Sequence, residues 1–476
     1  MPGLRPLLGR RHFLASTMVG TVAIVLPLTG AQASTTAPPG PSSPTLTPAQ
    51  PAPAPVTPAA VDSPIIGAST AASQPGGDSS IRPFHYRATD DELADLKRRV
   101  KTTRWPDRET VTNDTQGVQL ATMRKLADYW VNGHDWRRAE ARLFAYPHFI
   151  TNIDGLDIHF IHVKSKHGNA LPVVITHGWP GSIIEQLKII GPLTDPTAHG
   201  GNTADAFDVV IPSLPGYGFS GKPTTEGWGV PRIAKAWATL MNRLGYKEYV
   251  AQGGDWGNAI SETMALQQPP GLLAIHTNMS ATLPTSVSKA LPAGPEPDGL
   301  TVDEKHAWAQ LSEFYTSGLG YAVEMNHRPQ TLYGLADSPT GLAAWMLDHD
   351  IQSYRLISNV FDGASEGLTR DDILDNVTLY WLTNTAVSSA RLYWEMRNSK
   401  AGFFDPRGVP LPTGVSAFRE EIYQAPEAWA RAAYPHLIFY RAHDKGTHFA
   451  AWEQPRALAE DLRETFRSVR PRAVIA

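Results

Sequence analysis

The 476-residue chain contains no cysteine. Disulfide frameworks, thiolate metal sites and cysteine nucleophiles are therefore excluded by composition, whichever compartment holds the protein. It also lacks a dominant charge. Its 42 Lys and Arg stand against 46 Asp and Glu, a formal net charge of -4, and the basic residues form no long run, so no nucleic acid partner is expected. A third absence is local: from Ser34 to Ser80 there is no aromatic residue, while ten prolines fall between Pro38 and Pro64. Such Pro/Ala/Ser/Thr sequence buries too little apolar surface to offset its ordering entropy and reads as an extended tether. Long apolar runs are missing too. The best candidate, "TMVGTVAIVLPL", falls short of the roughly 20 residues of a membrane span and is interrupted by Pro27.

What is present at the amino terminus reads as an address. Arg10-Arg11-His12-Phe13-Leu14 precedes that apolar run, and "AQAS" follows it with the small residues suited to cleavage after Ala33. Residues 1–33 are thus expected to be an export signal of twin-arginine type, with contact to a membrane only if the segment is left uncleaved.

Residues 81–150 read as mainly helical. "TDDELADLKRRVKTTRW" opens on a Thr89 cap with acidic residues in its first turn, and "GVQLATMRKLADYWVNG" ends at Gly133. Beyond this the pattern changes to short β-branched runs, "LDIHFIHV", "LPVVITHG", "FDVVIPS", "KEYVAQG" and "LLAIHTN", the later ones separated by helical segments such as "PRIAKAWATLMNRLGY". Alternating strand and helix predicts an α/β fold with a mainly parallel central sheet and functional groups at the carboxyl ends of its strands. A last strand, "HLIFYRA", and a helix close the chain. The expected organisation is a core at 151–282 and 413–476, interrupted by a helical cap at 283–412 rich in Trp and Tyr.

Chemistry concentrates in three turns. In "YVAQGGDWGNAISE" Asp255 stands between a strand and a helix, lined by Gly253, Gly254 and Gly257, which fits a nucleophile elbow with a carboxylate at its apex. The turn "THGWPGS" follows an earlier strand; there the main chain of Trp179, with that of Trp256 after the nucleophile, is the expected oxyanion hole, and His177 and Pro180 are expected on the substrate pocket wall. In "HDKGTHFAAWEQP", His448 stands where the order nucleophile, acid, histidine puts the base, and "SAFREEIYQAPEAW" offers Glu420 and Glu421 as the acid. No metal is expected: His443 and His448 lie five apart with no third ligand pattern. "GYGFSG", Gly216 to Gly221, matches a dinucleotide fingerprint, but Pro212, Pro215 and Pro223 leave no helix start to hold a pyrophosphate, and no cofactor is expected.

With "RWPD", "DWRRAEARLFAYPHFITNIDGLDIHFIHVKS", "THGWPGS", "LPGYGFSGKP", "GGDWG", "DSPTGLAAW", "PTGVSAF" and "THFAAWEQP" in this order, the chain from about Ile81 onward resembles epoxide hydrolases of the α/β-hydrolase fold. The resemblance is to the branch that includes the microsomal enzyme and carries an extra N-terminal domain. It implies an α/β-hydrolase core, a helical cap, and opening of an apolar epoxide by water without a cofactor. By the same resemblance Asp255 is the nucleophile, Glu421 the relay acid and His448 the base. Tyr321 and Tyr393, among the six cap tyrosines Tyr315, Tyr321, Tyr333, Tyr354, Tyr380 and Tyr393, would activate the epoxide oxygen. Arg419 stands where the family has proline, which keeps Glu420 a rival to Glu421. Two other readings share these residues: a haloalkane dehalogenase using the same nucleophile, and a secreted binding protein without catalysis.

Overall fold

The computed structural model describes residues 78–365, 367–400 and 402–470. The expected export signal, and the linker up to residue 77, lie outside the described residues. No helix among the described residues is long and apolar enough to cross a membrane.

Nine strands, β1 (Arg82–Pro83), β2 (His148–Ile153), β3 (Leu156–Val163), β4 (Leu171–Thr176), β5 (Phe207–Pro212), β6 (Tyr249–Gly253), β7 (Leu272–Thr277), β8 (Thr413–Glu420) and β9 (Leu437–Thr447), form one sheet. Their order is β1-β2-β3-β5-β4-β6-β7-β8-β9. From β5 to β9 the pairings are parallel, and β1, β2 and β3 add an antiparallel edge. The central strands are apolar on both faces, as in Val173, Val174 and Ile175, because helices cover both sides and leave no wet face for polar alternation. Helix Val230–Arg243 shows the complement: Ile233, Trp237, Leu240 and Met241 bury one stripe, and the Trp237 indole N–H donates to Thr176 Oγ1 at 3.1 Å.

Three helices, Asp90–Lys101, Leu120–Asn132 and Trp136–Leu143, form the amino-terminal region. Thr89 accepts from the Glu92 N–H, and Glu92 returns to the Thr89 N–H; this capping box contributes about 1 kcal/mol. The helical reading of 81–150 differs at its end. Residue 150 falls inside β2, and β2 and β3 are a hairpin joined by Asp154 and Gly155, both at positive φ. Asp-Gly suits such a two-residue turn because both positions need left-handed backbone.

Between residues 283 and 412 the described elements are all helical, among them Val302–Glu313, Ile351–Phe361, Arg370–Leu382 and Ala386–Met396. The amino-terminal helices grip this cap. The Trp130 indole donates to Thr378 Oγ1 at 3.0 Å, His134 Nε2 pairs with Asp375 Oδ1 at 2.7 Å, and the Tyr129 hydroxyl donates to Asp371 at 3.1 Å. Thr122 and Ser358 hydroxyls meet at 2.8 Å.

Candidate active site

Register decides which loops meet. β4 and β6 run parallel with Thr176 opposite Gly253, so the turns beginning at His177 and Gly254 leave the sheet side by side. β8 and β9 run parallel with Glu420 opposite Thr447, which carries Glu421 and His448 out together.

Asp255 sits at the apex of its turn with φ 51° and ψ -127°, a left-handed backbone that is costly for a residue with a side chain. Glycines let the turn close. A Cβ on Gly253 would lie 2.2 Å from the Gly257 backbone, and one on Gly257 would lie 2.0 Å from the Thr176 carbonyl oxygen. Asp255 does not cap the helix Trp256–Gln267 with its side chain. Its Oδ1 instead accepts from the Trp179 N–H at 2.7 Å, across a gap that Gly178 leaves open. Trp256 is the first residue of that helix, where backbone N–H groups have no intrahelical acceptor. Of the two N–H groups expected to form an oxyanion hole, that of Trp179 meets the Asp255 carboxylate directly, and that of Trp256 follows Asp255 in the chain at the helix start.

His448 Nδ1 lies 2.7 Å from Glu421 Oε1, and both side chains are buried. Glu420 is exposed. Asp255, His448 and a residue from the cap, His349, bring one ligand-capable atom each within 4.8 Å of one another. Burial alone would lower the His448 pKa, but the charge and hydrogen bond of Glu421, with the charges of Asp255 and Asp350, push it up to about 10.

A cavity of about 290 Å³ opens onto Asp255, walled by Trp256, Phe314, Phe403, Tyr315, Tyr321 and Tyr393 among others. Tyr321 stacks on Trp179 with ring centroids 4.9 Å apart, and Tyr393 stands edge-on to Trp256 at 4.8 Å. Burial raises both phenols well above their usual value, and the charge of Asp255 adds to it, so both keep their protons. The remaining cap tyrosines differ in their surroundings, and of them only Tyr315 also lines this cavity. Tyr315 is pushed up to about 12 by burial and by Asp405, Tyr354 accepts from the Gln119 N–H, Tyr380 donates to the Gly181 carbonyl, and Tyr333 is exposed.

Residues 81–186 match the family described as the epoxide hydrolase N terminus, and residues 172–465 match the α/β hydrolase fold. A relative in Stigmatella aurantiaca (strain DW4/3-1) is 51% identical over 391 residues, 82% of this chain and 86% of its own. Epoxide hydrolase 1 of Oryctolagus cuniculus is 37% identical over 410 residues, 82% of this chain and 90% of that one. The chain belongs to the epoxide hydrolase family. Among solved structures, juvenile hormone epoxide hydrolase from the silkworm Bombyx mori matches with a TM-score of 0.71 at 30% identity, covering 83% of this chain and 95% of that chain.

Two residues of this epoxide hydrolase stand apart from their expected place. His177 and Pro180 are not on the wall of the cavity beside Asp255. The His177 ring turns inward: Nδ1 donates to the Gly178 carbonyl at 3.0 Å, Nε2 accepts from the Leu214 N–H at 3.3 Å, and burial lowers its pKa to about 4. Pro180 offers its carbonyl to Asn376 Nδ2 at 2.8 Å. Both brace the turn that carries Trp179. "GYGFSG" forms a turn locked to the cap by Ser388 Oγ, which donates to the Gly216 carbonyl at 2.6 Å. His443 is engaged by Asp461 at 2.6 Å and does not converge with His448.

His349, Asp350 and Glu185 stand in no motif of the sequence, yet all three are buried near Asp255 and His448. Glu185 occupies space that only a glycine at 181 leaves free, since an added Cβ there would lie 1.6 Å from its Oε2. Burial pushes its carboxyl up to about 8, with Asp255 and Glu421 adding to the rise and His448 opposing it.

Proposed function

We propose that this epoxide hydrolase opens an apolar epoxide through an ester on Asp255, which His448-activated water then cleaves to release a vicinal diol. The observation that carries this reading is the placement of Asp255 at a glycine-lined apex, bonded to the Trp179 N–H and facing both the Glu421-paired His448 and the tyrosine-lined cavity.

An epoxide offers no carbonyl, so its strained ring is opened at carbon. A carboxylate suits that step because it is anionic at neutral pH without a base to activate it. With Oδ1 held by Trp179, Oδ2 attacks; the new C–O bond forms as the ring C–O bond breaks, and the departing oxygen takes a proton from Tyr321 or Tyr393. Before this step the raised pKa of His448 keeps it cationic beside the anionic Asp255. Alkylation makes Asp255 a neutral ester and removes one of the charges holding that proton. The proton His448 then releases balances the one taken from tyrosine.

Neutral His448 is now a base. It takes a proton from water as the hydroxide adds to the Asp255 carbonyl carbon, while the N–H groups of Trp179 and Trp256 stabilise the oxyanion. As the ester C–O bond breaks, the proton of the added hydroxyl passes to the departing diol oxygen, so the diol leaves neutral and Asp255 is again a carboxylate beside the His448 imidazolium. Glu421 holds the tautomer and the cation. The tyrosine pair favours an epoxide over a haloalkane, because halide departs without a proton.

A single turnover in isotopically heavy water tests the scheme: the first diol should carry unlabelled oxygen from Asp255, and immediate labelling would refute it. His448→Gln should trap the ester on the peptide containing Asp255. Export is part of the same proposal. The paired arginines, short apolar run and "AQAS" support a twin-arginine signal, so the exported protein should begin at Ser34, as terminal mass spectrometry would read.

A further inference from the structure

The covalent scheme leaves one requirement unmet by the acid, base and nucleophile: hydrolytic water has two O–H bonds. His448 accepts one proton. If the second O–H has no acceptor, the molecule can rotate and its lone pair loses its line to the ester carbonyl. A buried polar site without a second partner is also a poor place to hold water.

The cap supplies a candidate acceptor. His349 is buried, and its Nδ1 lies 3.0 Å from Asp350 Oδ2. Because a carboxylate accepts only, Nδ1 carries the hydrogen and Nε2 presents a lone pair. That Nε2 is buried with no hydrogen-bond partner. The His349 ring lies 4.4 Å from the His448 ring and 5.1 Å from that of Tyr321. Asp350 is fixed in turn: its Oδ1 accepts from the Ser353 N–H at 2.8 Å, capping the helix Ile351–Phe361.

His349, His448 and Asp255 offer atoms mutually within 4.8 Å. The centre of such a triangle lies at most about 2.8 Å from each corner, the length of a hydrogen bond to water. A polar cavity adjoins the site through Asp350 and Glu421. It has a volume of about 390 Å³ and is also bordered by Glu313 and Arg355, and Phe314 and Ile422 line both it and the apolar cavity at Asp255.

We infer that His349, oriented by Asp350, is the second hydrogen-bond acceptor for the hydrolytic water and so fixes that water's attack on the Asp255 ester. The inference rests on the covalent scheme. It predicts an effect on the second half-reaction alone, since no water takes part in alkylation.

The test is stopped-flow of the full enzyme with an aryl epoxide such as styrene oxide, separating ester formation from ester breakdown, with intact-mass detection of the adduct. His349→Leu should leave alkylation within about twofold while slowing breakdown on the order of 10- to 100-fold, so that adduct accumulates. Asp350→Asn keeps the shape and the cap but donates to Nδ1, turning Nε2 into a donor, and should give the same split. His349→Gln retains an acceptor and should recover part of the loss. A full-amplitude alkylation burst reports an intact site in each variant. Equal slowing of both steps, or unchanged breakdown in His349→Leu, would overturn the assignment; so would the same split in Glu185→Gln without one in His349→Leu. Failure of the covalent scheme looks different, as no adduct would then form even in His448→Gln.

Discussion

Glu421 Oε1 lies 2.7 Å from His448 Nδ1, whereas the residue before it, Glu420, ends β8 in solvent. Glutamine at 421 can offer its amide hydrogen to Nδ1 and invert the imidazole tautomer. Ester breakdown in Glu421→Gln should therefore fall roughly 100-fold or more, with a smaller effect on alkylation. Glu420→Gln should match the parent enzyme within about twofold in the same transient-kinetic assay.

The two phenols at Tyr321 and Tyr393 share the leaving oxygen, so each can partly cover for the other. Single Tyr→Phe changes should slow alkylation on the order of tenfold, and the double change beyond 100-fold, with breakdown of a preformed ester little altered. Full alkylation by the double variant would exclude them as proton donors.

Asp255 is one of the charges that raise His448. Replacing it with asparagine removes that charge at the same position. The His448 imidazole should then titrate lower than in the parent, read by NMR of labelled histidine. An unmoved titration would break the link proposed between alkylation and release of the imidazole proton.

Glu185 ties stability to pH. Its folded pKa of about 8 lies above the unfolded value of 4.5. A raised folded pKa means that this group's contribution is fully present below about 4.5 and is lost as pH rises through about 8. Glu185→Gln should accordingly gain melting temperature relative to the parent as pH rises from about 5 to 9, by a few degrees at the upper end. A difference independent of pH would mean that Glu185 is not a buried neutral carboxyl.

Local physics explains which features were legible in the sequence. The strands near the elbow are β-branched runs and the elbow is a cluster of glycines around one acid, so both are written in contiguous residues. The β2–β3 hairpin is written too, in Asp154-Gly155, and β2 straddles the expected boundary at residue 150 because its first residues follow the helical region directly. Glu420 and Glu421 could not be separated by alternation because the β8–β9 register shifts between Phe418 and Glu420. His349 was out of reach for another reason: it meets His448 across 99 positions of sequence only because the cap folds over the sheet. His177 sat in a motif of the right kind, yet its ring serves the turn that carries Trp179.

The hydrogen bonds from Trp130, His134 and Tyr129 to helix Arg370–Leu382 change how access to the buried carboxylate must work. A lid swings only if one side is free, and this one is pinned from behind by the same chain. Loosening the pins should alter turnover from the far side of the molecule without touching a reacting atom.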